Sequence, residues 1–119
     1  MTTDANGQTG QHDPLTEIVE RDQTWPRMAR KYGVENPTPP WKTSLDGMCD
    51  ALDRADDPAV PSGEQRRDDE DALTATVYPS VPFPESQLVS LAHSLLDRGL
   101  VGETELRERM AAVRKRLEV

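Results

Sequence analysis

A chain of 119 residues with 34% hydrophobic content, one Phe, two Trp and two Tyr has material for one domain with a thin core. Charged residues make up 30% and the net charge is −8, which excludes the basic surface that nucleic acid requires. No stretch of about twenty apolar residues is present to cross a bilayer, and the first dozen residues lack the basic and apolar segments of a secretory signal, so a cytoplasmic protein with no membrane partner is expected.

Residues 1–12 are rich in Thr, Gln and Gly and offer too little apolar surface to offset the entropy of ordering them, so a flexible arm is expected there, followed by a helical domain over 13–119. Asp13-Pro14 reads as an N-cap with Pro at the first helical position, and Leu15, Ile18 and Val19 share a face. Thr24-Trp25-Pro26 starts a second short helix that runs to Tyr32-Gly33. Three prolines between Asn36 and Pro40 stop helix propagation. From Trp41, the positions Leu45, Met48, Cys49 and Leu52 predict a third helix, ended by the acidic segment Asp53 to Pro58.

Ser62 stands three residues before Gln65, the spacing of a capping box, and opens a charged run read as a short exposed helix. Past the proline joint Tyr78 to Pro84, Leu88, Leu91, Ala92, Leu95 and Leu96 give the clearest helical periodicity in the chain. Gly99 suits a left-handed C-terminal cap with Leu100 folding back, and Leu106, Met110, Val113 and Leu117 complete an α-helical hairpin. No strand alternation, phosphate loop or internal repeat occurs, so the fold class is all-α, built from short helices with proline-rich connections.

Few residues offer chemistry. Cys49 lies on the apolar side of its helix with no neighbouring cation to make it a thiolate, and reads as core. His93 sits among leucines and reads as a packing or surface histidine. Cys49, His12 and His93 show no zinc-site spacing, so no metal is expected on this chain by itself, and no nucleophile is placed beside a base. The carboxylates of Asp53 to Asp57 and Asp68 to Asp71 read as solvated faces. Arg66-Arg67 differs, because guanidinium groups on a helix with little apolar face can be presented to an oxygen-rich site on a partner.

The order of these elements is distinctive: Pro40-Trp41 opening a helix, Arg66-Arg67 on the next, Thr76-Val77-Tyr78 with Pro82-Phe83 at a joint, and Leu95-Leu96-Asp97-Arg98-Gly99-Leu100-Val101 before Thr104-Glu105-Leu106. From Trp41 onward it resembles the helical N-terminal half of the β subunit of the nitrile hydratase and thiocyanate hydrolase family, in particular the enzymes whose β chain is split, since no SH3-like barrel follows before Val119.

That resemblance implies a β-type subunit of a lyase that hydrates a nitrile to an amide, with thiocyanate hydrolase as the alternative substrate class. It implies an α-type partner holding cobalt or iron in a cluster of oxidised cysteines, where the metal acts as a Lewis acid, and a separate SH3-like-barrel subunit. Arg66, with Arg67 beside it, matches the position from which the family's β chain donates hydrogen bonds to the oxidised cysteine oxygens. Val60, Tyr78 and Phe83 match pocket positions, and Trp25 and Trp41 are expected beneath the α-type chain. The family's Tyr-Tyr pair is replaced here by Phe83-Pro84, and its pocket aromatic by Val60, so substrate preference does not transfer. An activator or metallochaperone for the α-type chain and an unspecialised helical interaction domain are the other readings.

Overall fold

The computed structural model describes residues 11–117. All but the last two residues of the expected N-terminal arm therefore lie outside the described range. Helices α1 (Asp13–Glu20), α2 (Trp25–Tyr32), α3 (Lys42–Arg54), α4 (Gly63–Thr76), α5 (Glu85–Asp97) and α6 (Glu103–Leu117) follow in order, with no strand among the described residues. The chain is all-α with proline-rich joints, as its periodicities predict.

Local chemistry sets the boundaries, in places one residue from expectation. The cap of α1 is His12 rather than Asp13, because its carbonyl accepts the first amide bonds, from Leu15 at 3.0 Å and Thr16 at 2.9 Å. Asp13 and Pro14 then occupy the first turn, where a missing N–H costs nothing. Gly33 closes α2 at φ 68°, a left-handed geometry that glycine adopts freely. Ser62 caps α4 reciprocally: its hydroxyl accepts from the Gln65 amide at 3.1 Å while its own N–H donates to Gln65 Oε1 at 2.8 Å.

The helix that begins at Ser62 is not short. It runs 14 residues, since no breaker intervenes before Pro79 and Leu73 supplies a buried anchor near its end. Gly99 at φ 74° terminates α5, and the Leu100 and Val101 amides fold back onto the Leu95 carbonyl at 3.0 and 3.3 Å.

The core divides into two clusters on either side of α5. One joins Leu45 of α3 to Leu91 and Leu95, with Trp41, Cys49, Leu52, Leu88 and Val101 packed around them. The other joins Leu73, Tyr78 and Val89, flanked by Val19, Val77 and Val81. Helices α4 and α5 form the most extensive pair, and α1 touches both α5 and α6.

Helix α6 contributes no buried residue and meets α1 more extensively than it meets α5. It is held along α1 by Arg107, 3.4 Å from Glu17 and 3.9 Å from Asp13, while Val113 and Leu117 remain exposed. Stability should therefore reside in α3 to α5. Leu45→Ala should cost roughly 2–5 kcal/mol, and Leu117→Ala at 80% exposure less than about 0.5 kcal/mol; urea denaturation of the two variants checks the contrast.

Candidate functional site

The polar residues buried on α5 define the most connected site in the molecule. His93 is wholly buried. Its Nδ1 lies 2.7 Å from the hydroxyl of Tyr78, which the chain places by folding the Tyr78 amide back onto the Leu73 carbonyl at the end of α4. Its Nε2 faces Asp97 Oδ2, one turn along α5, at 3.3 Å. The approach is short enough for attraction but misaligned for a hydrogen bond, so Nε2 is buried without a bonded partner.

The carboxylate near Nε2 favours the proton there, leaving Nδ1 to accept from Tyr78. His12 packs edge-on against the same ring, with ring centres 4.6 Å apart. Its Nε2 donates to Asp97 Oδ1 at 2.7 Å and its Nδ1 to Glu103 Oε1 at 2.8 Å. His12, assigned to the flexible arm by composition, is thus anchored to α5 and to the start of α6.

A second polar tie lies beside the first. Ser94 donates to Asp69 Oδ2 at 2.7 Å, and Arg98 reaches the same carboxylate oxygen at 2.9 Å and Ser94 Oγ at 3.2 Å, stapling α4 to α5.

The two histidines titrate in opposite directions. Burial works against the charged form of His12, but the bonds to Glu103 and Asp97 outweigh it and raise its pKa above the ordinary value. Burial lowers His93, with Asp97 and Asp69 opposing and His12 reinforcing the shift. Burial, with Asp97 adding to it, pushes the Tyr78 hydroxyl well above its usual range, so it stays protonated.

Of the site residues expected from the sequence, Tyr78 joins this network, while Arg66, Arg67, Val60, Phe83, Trp25 and Trp41 lie apart from it. Arg66 is turned onto its own chain, donating to the Pro61 carbonyl at 3.0 Å, the Cys49 carbonyl at 3.5 Å and Asp53 Oδ1 at 2.6 Å. Together with exposed Arg67 it lines a cleft of about 190 Å³ bordered by Cys49, Glu70 and Gln87. Tyr78 is a core residue bonded to His93. Phe83 is exposed on the surface, with Lys42 Nζ 5.6 Å from its ring centre. Val60 sits in the turn before α4, its amide bonded to the Asp57 carbonyl at 3.0 Å.

Trp41 packs against the Leu45 cluster and borders an apolar cleft of about 210 Å³ with Val19, Val81 and Leu88. Trp25 is half-buried, its backbone N–H bonded to Glu85 and its indole N–H donating to the Asn36 carbonyl at 2.9 Å.

Within the sequence, only His93 and Asp97 were readable as neighbours, being four residues apart on one helix. His12 and Tyr78 join them through tertiary packing alone. No substrate can touch a fully buried imidazole, so the chemistry open to this site is ion pairing and coordination at the Asp97 edge, where the carboxylate is partly exposed.

The folded chain thus defines a small all-α protein with a buried two-histidine, carboxylate and tyrosine network. Comparisons with protein-family models, with curated proteins and with solved structures return no match for this chain.

The opposed shifts set a pH window. A raised His12 contributes stability that is complete below its unfolded value of about 6.5 and lost as pH rises through its folded pKa. A lowered His93 contributes a penalty as pH falls below that same unfolded value. NMR titration of the two imidazoles should therefore place the His12 midpoint above, and the His93 midpoint below, the ordinary histidine value; coincident midpoints would contradict the network.

Proposed function

We infer that this chain is a non-catalytic helical subunit of the β type in a nitrile hydratase-like enzyme, supporting a metal centre that belongs to an α-type partner. The observation that carries a subunit role is apolar surface left outside a thin core. Phe83 is 60% exposed and Leu117 80%, and Ile18, Tyr32, Met48 and Val113 are exposed with them. Large apolar groups in water favour association, and such groups concentrate at interfaces. The hydratase assignment itself rests on the ordered motifs from Trp41 to Leu106.

The cobalt or iron centre of such an enzyme is held by a cluster of thiolates. This chain has one cysteine, Cys49, half-buried with Gln87 Nε2 3.9 Å from its sulfur, and its residues do not fit that centre. No reaction step is assigned to them. A supporting role falls more readily to exposed Arg67 than to Arg66, whose donors are already directed at Asp53 and Pro61. Thiocyanate hydrolysis remains the alternative substrate class. A metal-handling activator for the α-type chain is the second reading, favoured by the convergence of His12 and His93 on Asp97.

Affinity purification from the native cell with mass spectrometry and metal analysis tests the assignment. A stoichiometric partner carrying a cysteine-cluster motif and bound cobalt or iron is expected, and a solitary chain would overturn it. Within that complex, Arg67→Ala should lower turnover with assembly intact, whereas Arg66→Ala should also lower the melting temperature of this subunit; unchanged kinetics in both variants would remove the arginine pair from the mechanism.

A further inference from the structure

The end of α5 brings together groups from opposite ends of the chain. A ring nitrogen of His12, a ring nitrogen of His93 and a carboxylate oxygen of Asp97 all lie within 4.8 Å of one another, and both rings turn Nε2 to the Asp97 carboxylate. We propose that these three residues form a binding site for a divalent transition-metal ion of the zinc class. This inference rests on local geometry and is independent of the hydratase assignment.

Three observations separate the site from an ordinary surface ion pair. The first is His93 Nε2, fully buried and unbonded although it faces the carboxylate. A ring nitrogen in that position is under-satisfied by the ion-pair arrangement; moving the ring proton to Nδ1, where the Tyr78 oxygen accepts it, frees the Nε2 lone pair for coordination. The second is the outer shell. Each imidazole has its other nitrogen engaged, His12 Nδ1 with Glu103 at 2.8 Å and His93 Nδ1 with the Tyr78 hydroxyl at 2.7 Å. Partners of this kind fix the orientation of metal-bound histidines and leave Nε2 as the ligand atom. The Tyr78 hydroxyl serves either tautomer, since it can donate to Nδ1 or accept from it.

The third is spacing and charge. Ligand atoms about 2.0–2.1 Å from a tetrahedral zinc ion stand roughly 3.3 Å apart, the separation already present between His93 Nε2 and Asp97 Oδ2. His12 Nε2 bonds the other oxygen, Asp97 Oδ1, at 2.7 Å, and on binding it would release its proton to solvent and exchange that hydrogen bond for the ion. Two carboxylates, Asp97 and Glu103, face the two rings and suit a dication. A nitrogen-rich donor set selects zinc, cobalt or nickel over calcium and magnesium, which take oxygen ligands. The partly exposed Asp97 gives the ion a path in and leaves a coordination position open to water.

Such an ion would tie the start of α1 to the α5–α6 turn. The test is titration of the full-length, chelator-stripped chain with zinc chloride near neutral pH, followed by calorimetry and by NMR of the histidine rings. One ion per chain, perturbation of the Nε2 resonances of both His12 and His93, and a higher melting temperature are expected. His12→Gln and Asp97→Asn should each weaken binding by at least about 100-fold, and Glu103→Gln by about 10- to 100-fold with the stoichiometry kept.

The wild-type ring spectra decide the matter even if a variant folds poorly. Unperturbed His93 resonances in excess zinc, binding that survives both His12→Gln and Asp97→Asn, or calcium binding as tight as zinc binding would each overturn the proposal.

Discussion

One helix, α5, has to be buried nearly all round, and the rest of the chain is arranged to meet that demand. With so few large apolar residues, two core clusters can form only if they share an element, and α5 presents Leu91 and Leu95 to one and Val89 to the other. Each fully buried aliphatic side chain contributes roughly 1.5–3 kcal/mol, so this shared helix carries much of the hydrophobic stabilisation available. Helix α3 meets one side through Leu45, α4 packs most extensively beside it, and α1 touches it as well.

Burying a helix on every side also buries its polar residues, and each then needs a partner. Ser94 finds Asp69, and His93 finds Tyr78. The remaining ring nitrogen of His93 finds only a misaligned carboxylate. That shortfall lies where His12, Asp97 and Glu103 converge, so an unsatisfied point of the core coincides with a charged edge. The coincidence gives the site its chemical interest: the same geometry that incompletely satisfies an imidazole is the geometry of a preformed ligand set.

The outer surface tells a complementary story. Helix α6 carries an apolar stripe yet buries nothing, and Ile18 of α1 borders the same shallow groove as Met110, Val113 and Leu117. Along its length the tethers are ion pairs of Arg107 with Asp13 and Glu17, which are largely exposed and individually weak, and only its first residue, Glu103, is held by His12. A helix held this loosely contributes little to the fold of the isolated chain.

The helices, their order and most of their ends follow from local signals, because caps, prolines and 3.6-residue periodicity act within a few residues along the chain. Ser62 with Gln65, Gly33, Gly99 and the leucines of α5 were all legible for that reason. Helix α4 extends beyond its local signal because one leucine, Leu73, gives no periodicity although it anchors the helix. Only the tertiary structure decided the site. It turned Arg66 onto Asp53, took Tyr78 into the core, and joined His12 from one end of the chain to His93 and Asp97 near the other. Side chains so distant in sequence meet through packing of α1 against α5, and no local spacing encodes that contact.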